Sequence, residues 1–447
     1  MTMKTTFCII SAAVAVGMAA VGFATTDETA VAVGALSLRG CLGIALSNNP
    51  SLSEAQLGVE AAEKGVRSAE GRHYPRLSLD GSITAREDPI PYIPAQSPTV
   101  GPHFSDRFAY WGPTLTVPLY QGGQIARNVD LARLRQQMQD DTLSLTRYDV
   151  IANVVNTFNK ILQLRKLRDA SAASVHALGE QRKNVQQLYD VKRAPRVDLL
   201  KIDVQLANEQ QRLLTVDESL GTLAATLRTL MGESVEGRVA PVAIAGALCT
   251  NVIPLPVFAD GLRSALAQRP EYLLALKGVE EAGLNERLAD GRFLPTVSAV
   301  GGVTDQAGFR PSYDRANWFV GVTVSLPIFD STLYADLARR RVEREKTAQH
   351  LTVVENQVRL DIQIAVSALQ ESQVRVATAE QVVAQADESF RIEQQRYQTG
   401  AGSMADMLLA QAADVTAAAN HAQALFDYDA ALVAYRRATG TLEEYLK

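Results

Sequence analysis

The sequence predicts a mainly α protein with a smaller β part: a rod of very long helices, with four strands at one end, assembled from two copies of one unit. Three observations carry that expectation. The chain repeats itself at a spacing of about 210 residues, each copy holds a proline-free run of about 70 residues, and each copy places two alternating strands ahead of that run.

The repeat is visible residue by residue. Ala45-Leu46, Pro50, Gly58-Val59-Glu60, Gly71-Arg72, Pro75 and Thr84 recur 220 positions later as Ala265-Leu266, Pro270, Gly278-Val279-Glu280, Gly291-Arg292, Pro295 and Thr304. Beyond the first hairpin the offset falls to 209, with Gly112, Thr114 and Pro118 meeting Gly321, Thr323 and Pro327. It is then 208 for Tyr189, Asp198, Leu200 and Gly232, which meet Tyr397, Asp406, Leu408 and Gly440. The change of offset falls inside the first hairpin loop.

In chain order, residues 1–24 carry Lys4, an apolar run from Phe7 to Phe23 and a small residue at Ala24. That is the pattern of a signal peptide, so the chain is expected to be exported. No later stretch reaches the roughly 18 consecutive apolar residues of a spanning helix, so any membrane crossing by the mature chain would use strands. The first repeat occupies 25–238: a helix from Ser37 to Gly71, a strand hairpin at about 75–118, a long helix at about 120–191 and a helix at about 196–231. A proline-bearing linker at 239–256 leads to the second repeat, 257–447, with its hairpin at about 294–327, long helix at about 329–398 and last helix at about 404–438. A 70-residue helix is roughly 105 Å long, and two helices of about 35 residues laid end to end match it. Each repeat therefore reads as two short helices stacked beside one long one.

In the second long helix, Ile362, Ala365, Leu369, Ser372, Val376, Ala379, Val383, Ala386, Phe390, Glu393 and Tyr397 alternate spacings of 3 and 4. This is a coiled-coil seam, and its alanines let a neighbouring helix approach closely.

The strands are equally regular. Arg76, Ser78, Asp80, Ser82 and Thr84 alternate with Leu77, Leu79, Gly81, Ile83 and Ala85, while Trp318, Val320, Val322, Val324 and Leu326 oppose Gly321, Thr323 and Ser325. Segments of about 10 to 12 residues suffice to cross a bilayer when tilted, and Tyr110, Trp111, Trp318 and Phe319 stand where interfacial aromatics belong. The stretches Glu87 to Asp106 and Ala307 to Ala316 read as loops. Pro118 and Pro327 are expected to stop strand pairing and turn the chain into the long helices. Four strands leave two open edges, which lipid does not tolerate, and the smallest closed membrane barrels have eight strands. An oligomer must close the barrel, and three copies would supply twelve strands.

Composition excludes several classes. A net charge of -5 gives no footprint for nucleic acid. His73, His103, His176, His350 and His421 share no ligand spacing, and there is no phosphate-cradling loop or nucleophile-base pattern, so no enzyme activity, metal or cofactor is expected. Cys8 lies in the signal. Cys41 and Cys249 form either a disulfide between the first helix and the linker, or two buried thiols. A soluble periplasmic coiled-coil adaptor is the alternative class, but it would lack the doubled hairpins.

With this repeat, the junctions "VPLYQGG" and "LPIFDS", and the turn Tyr397-Gln-Thr-Gly-Ala-Gly-Ser-Met-Ala-Asp406, the chain resembles the TolC-like outer-membrane efflux channels over essentially its whole mature length. The resemblance implies a homotrimeric channel-tunnel: a 12-stranded barrel in the outer membrane, a long α-helical barrel reaching into the periplasm, and an equatorial belt of linker and C-terminal segments. It implies a periplasmic adaptor and an inner-membrane pump, proton-driven (RND) or ATP-driven (ABC-type), as partners. It carries an entrance-ring aspartate onto Asp406 and gate-linking residues onto Asp198 and Tyr397. It puts the adaptor contact at the tip turns, Lys192, Arg193 and Gly400. The chain departs from the family at Leu409, where a second ring aspartate would stand, at Gly402, where a basic gate residue would stand, and at Lys192, where a turn glycine would stand.

Overall fold

The computed structural model describes residues 36–93, 99, 101–234, 237, 243–248, 253–309 and 312–446. The signal segment and Cys249 lie outside the described residues. The first repeat comprises α1 (Leu38–Asn48), α2 (Pro50–Gly71), β1 (Arg76–Ile93), β2 (His103–Gln121), α3 (Gln124–Asp190) and α4 (Arg196–Leu230). The second comprises α5 (Phe258–Gln268), α6 (Pro270–Gly291), β3 (Thr296–Phe309), β4 (Ser312–Ser325), α7 (Ser331–Gln398) and α8 (Met404–Thr439). A short 3₁₀ turn, Leu442–Leu446, closes the described chain.

The helix expected from Ser37 to Gly71 is two helices. It breaks at Asn49, and its counterpart breaks at Arg269, because Pro50 and Pro270 occupy the first helical turn and force the preceding residue out of the α region. Asn49 uses the break twice. Its carboxamide oxygen accepts from Ser51 N at 2.9 Å, capping α2, while its Nδ2 donates to Leu230 O at 2.8 Å, the open C-terminal end of α4. That one side chain stitches the two short helices end to end.

The long helices set the order of the rod. Nearer the sheet it runs α2, α3, α6, α7; in the other half it runs α4, α3, α8, α7. The lateral boundaries are therefore α7 on one side, and α2 with α4 on the other. Along α7 the coiled-coil seam from Ile362 to Val376 is buried, and the seam positions below it are half-buried. The largest apolar cluster lies at mid-rod, where Cys41, Leu42, Phe158, Leu227, Leu248, Tyr428 and Leu442 meet. Cys41 is a buried free thiol there. The linker is strapped to this level by Ile253 N donating to Tyr428 Oη at 2.9 Å, by Gln373 Nε2 donating to Ile253 O at 2.9 Å, and by Arg165 donating to Ile244 O at 2.6 Å.

The four strands form one antiparallel sheet in the order β1-β2-β3-β4. They are longer than their sequence suggested, at 18, 19, 14 and 14 residues. β1 runs on through Pro89 and Pro91, at the cost of register shifts between Ala85 and Ile90 and between Pro91 and Ile93. Proline reads as a loop signal, but here the register shifts absorb it, leaving Pro89 out of the β1–β2 register while Pro91 stays opposite Phe104. β3 and β4 likewise pair out to Phe309 and Ser312, inside the stretch expected as a loop. Pro118 also differs from expectation. It does not end β2 but sits in a bulge, between Pro118 and Tyr120, after which β2 still pairs to Gln121 opposite Thr296. Gly122 and Gly123, both left-handed with φ of 60° and 72°, make the actual turn into α3. Gly122 also passes so close to Gly291 O that an added Cβ would lie 2.4 Å from it. In the second repeat β4 ends at Ser325, two residues before Pro327, and Asp330 caps α7 by accepting from Thr332 N at 2.9 Å.

Candidate functional site

Two surfaces carry the functional geometry: the sheet at one end of the rod, and the paired helical turns at the other.

The register sorts the sheet into two faces. Leu77, Leu79 and Ile83 of β1 lie opposite Leu115, Pro113 and Ala109 of β2; Leu115 lies opposite Gly301, which lies opposite Val320. Trp318, Val320, Val322 and Val324 complete this face, with Trp318 78 % and Val320 77 % exposed. The other face carries Ser78, Asp80 and Ser82, then Thr116 and Thr114, then Thr304 and Gln306, then Thr323. One side is mainly apolar, interrupted by Asp305 opposite Trp111; the other is mainly polar, with Tyr110, Val300 and Phe319 among its residues. Within the described chain, β1 and β4 each leave one edge unpaired.

At the far end, α3 turns into α4 and α7 into α8 through the same hydrogen-bond pattern, displaced by 208 residues. Lys192 N donates to Tyr189 O at 2.9 Å and Arg193 N to Leu188 O at 2.7 Å; Gly400 N donates to Tyr397 O at 3.0 Å and Ala401 N to Arg396 O at 2.8 Å. Each is a Schellman motif, whose C′ residue must be left-handed. Gly400 has φ 76°, and Lys192, at φ 60°, is the one described non-glycine residue with positive φ. A left-handed L-residue costs roughly 1–2 kcal/mol, part of which glycine would lose again in unfolded-state entropy. Lys192→Gly is therefore expected to tighten this turn by about 0.5–1 kcal/mol, read as amide exchange at Arg193 and Ala194 slowed by about 2–5-fold. Faster exchange would show that Lys192 is not strained.

Asp406 stands in the first turn of α8, whose N-cap is Ser403. Ser403 Oγ accepts from Asp406 N at 3.1 Å and donates to its carboxylate at 2.7 Å. The carboxylate is otherwise exposed, and Leu409 beside it is 72 % exposed. In the first repeat Pro195 stands where Ser403 does, so α4 has no side-chain cap, and Asp198 sits half-buried in its first turn. Asp198 and Tyr397 come together across the two tips: burial first, and the Asp198 carboxylate second, push the Tyr397 phenol above its ordinary value. Beneath them Val185, Ile202, Met404 and Met407 form an apolar plug shared by both repeats. Gly402 is crowded, since a Cβ there would lie 3.0 Å from Arg396 Cβ and 3.2 Å from Tyr397 N. This turn has no room for a longer side chain at 402 without shifting.

Sequence reasoning missed three features. The Gly122-Gly123 turn was overshadowed by Pro118, and the Met404–Met407 plug has no periodic signature of its own. The third is a second apolar stripe on α7: Val342, Val353, Leu360, Ile364, Val374, Val382 and Ile392 are all exposed. At 100° per residue they fall within an arc of about 80°, directly opposite the buried seam. Successive spacings of 11, 7, 4, 10, 8 and 10, which keep all of them within that arc, were the available signal.

A family model described as outer membrane efflux protein matches residues 41–233 and 261–441. The chain is 24% identical over 427 residues to the outer membrane efflux protein BepC of Brucella suis biovar 1, covering 95% of this chain and 90% of that protein. It is 24% identical over 353 residues to the cobalt-zinc-cadmium resistance protein CzcC of Cupriavidus metallidurans, covering 75% and 74%. Among solved structures it superposes on the outer membrane protein VceC of Vibrio cholerae with TM-score 0.73 at 19% identity, covering 90% of this chain and 96% of that one. The CmeC outer membrane channel of Campylobacter jejuni gives TM-score 0.76 at 16% identity, covering 90% and 85%.

Proposed function

Since the chain belongs to the outer membrane efflux protein family, as an outer-membrane exit duct reaching into the periplasm, we propose that it works as a homotrimer, twelve strands in the membrane above a tunnel of helices. The observation that carries this is the sheet: one exposed, mainly apolar face, one mainly polar face, and an unpaired edge at each side. Lipid accepts the apolar face but not the edges, so β4 of one copy must pair with β1 of the next until the barrel closes. The second apolar stripe on α7 continues that boundary down the rod. The partner edge, α4, leaves Val197, Leu200, Val204 and Leu214 exposed to meet it.

Substrates enter at the tips, delivered by an inner-membrane pump, proton-driven or ATP-driven, through a periplasmic adaptor that seats on the tip turns around Lys192, Arg193 and Gly400. The same duct would serve a type I secretion system. No cofactor is required, because the channel is passive. Three copies of Asp406 form a carboxylate ring at the entrance, and Asp198 and Tyr397, coupled by the Asp198 charge across the two tips, belong to the closed state. The exposed carboxylate of Asp406, held by Ser403, supports that role.

Recovery of the protein from outer-membrane fractions by detergent, with stepwise conductance in planar bilayers, is the expected result; recovery in a plain osmotic-shock fluid would overturn the channel reading. Asp406→Asn keeps an oxygen for Ser403 while removing the charge, so α8 stays capped. Trivalent-cation block should weaken by at least about tenfold and cation preference should fall. Unchanged selectivity would remove Asp406 from the ring.

A further inference from the structure

The two tip turns share one backbone but not one charge. Lys192, Arg193 and Arg196 are exposed, and none makes an ion pair or side-chain hydrogen bond among the described residues. Their equivalents in the second repeat are Gly400, Ala401 and Met404: two uncharged turn residues, and one side chain buried in the plug. The second turn shows that the fold needs no cation at these positions. Exposed arginines elsewhere on the rod are commonly paired, as Arg182 is with Asp203, Arg391 with Glu388 and Arg396 with Glu393. Three cations within five residues outnumber the flanking Asp190, which accepts from Gln186 at 2.9 Å, and Asp198, whose charge acts on Tyr397, so this turn stays net positive in a chain of net charge -5.

We propose that the first turn docks an acidic partner: the end of a helical hairpin, belonging to the periplasmic adaptor, that carries carboxylates at its own turn. This rests on the duct reading above and adds the chemistry of the contact. The second turn, with no charge at the equivalent positions, would take an uncharged surface, so the two turns would discriminate between two faces of one partner. The geometry suits such an end-on contact, because both tips are helix-turn-helix ends projecting beyond the shared plug.

The full-length trimer in nanodiscs is titrated with two synthetic, disulfide-closed helical hairpins that differ only at the turn, one carrying glutamate and aspartate, the other glutamine and asparagine. The acidic hairpin should bind at least about tenfold more tightly at low salt, and the advantage should shrink at higher ionic strength. The variant Lys192→Glu/Arg193→Glu/Arg196→Glu should lose that preference and favour a lysine-tipped hairpin instead; analytical ultracentrifugation of the same variant separates a lost patch from a lost trimer. Equal binding of the acidic and neutral hairpins overturns the proposal. So does a charge reversal that changes the ion selectivity of the pore but not hairpin binding, because the cations would then face the cargo. If the unaltered protein fails to conduct in bilayers, the channel reading itself fails; if it conducts but does not prefer the acidic hairpin, only this inference does.

Discussion

Replacing Val353 and Ile364 of α7 together by aspartate is expected to abolish trimers while leaving each chain's helices intact. Both residues lie on the exposed stripe, 62 % and 56 % accessible in the single chain, on the side of α7 opposite the buried Ile362, Ala365 and Leu369. In a closed tunnel they would face α4 or α2 of the next copy. Burying an unpaired carboxylate costs several kcal/mol, and threefold symmetry repeats that cost at every interface. The interface is heterologous, so one damaged edge prevents ring closure everywhere. Sedimentation in detergent should show monomers with unchanged helical circular dichroism, whereas Ile364→Val should still form trimers. Intact trimers from the double aspartate variant would mean that this stripe faces lipid, solvent or another partner.

The second large effect concerns the joints between stacked helices. Gly232→Ala should destabilise the chain by about 3 kcal/mol or more, and Gly440→Ala by only about 1–2 kcal/mol. Both glycines close a helix with positive φ, 85° and 75°, so both substitutions impose left-handed strain. Their surroundings differ. A Cβ on Gly232 would lie 2.2 Å from Asn48 O, a backbone atom held by the break at Asn49, whereas the nearest atoms to a Cβ on Gly440 are at 3.1 Å. The collision in the first repeat can be relieved only by separating α4 from the α1–α2 joint, which also pulls Leu230 O away from Asn49. Comparing the unfolding of the two variants by helical signal checks this. Equal losses would show that the first joint relaxes as easily as the second.

These two predictions differ in how far they were legible in the sequence. Gly232 and Gly440 are marked by the repeat itself, being equivalent at an offset of 208 in two copies that share little else around them. What neither position announces is the distance to Asn48, which depends on how α1, α2 and α4 abut. The α7 stripe is the converse case. Its spacing was present in the chain, but a helix with one strong seam already accounts for its burial, and a second seam becomes visible only when the first is seen to face inward. The tip shows the same limit. Lys192 aligns with Gly400, yet alignment alone suggested a missing glycine, while the structure holds Lys192 in the glycine conformation through Arg193 N and Leu188 O.

By itself, the sequence determined whatever follows from local period: two copies of one unit, helices of nearly 70 residues, strands with one apolar face, and hence a rod with an incomplete barrel at one end. Burial imposes those periods on each segment whatever its neighbours are. Tertiary structure alone decided where strands stop, which prolines are tolerated, and which of two apolar faces on α7 remains open. Those outcomes depend on contacts between segments far apart in the chain. Pro118 ends nothing because β3 still has partners for it, Pro89 and Pro91 stay in a strand because register shifts against β2 absorb them, and the stripe on α7 is unpartnered because α6 and α8 already occupy its other side.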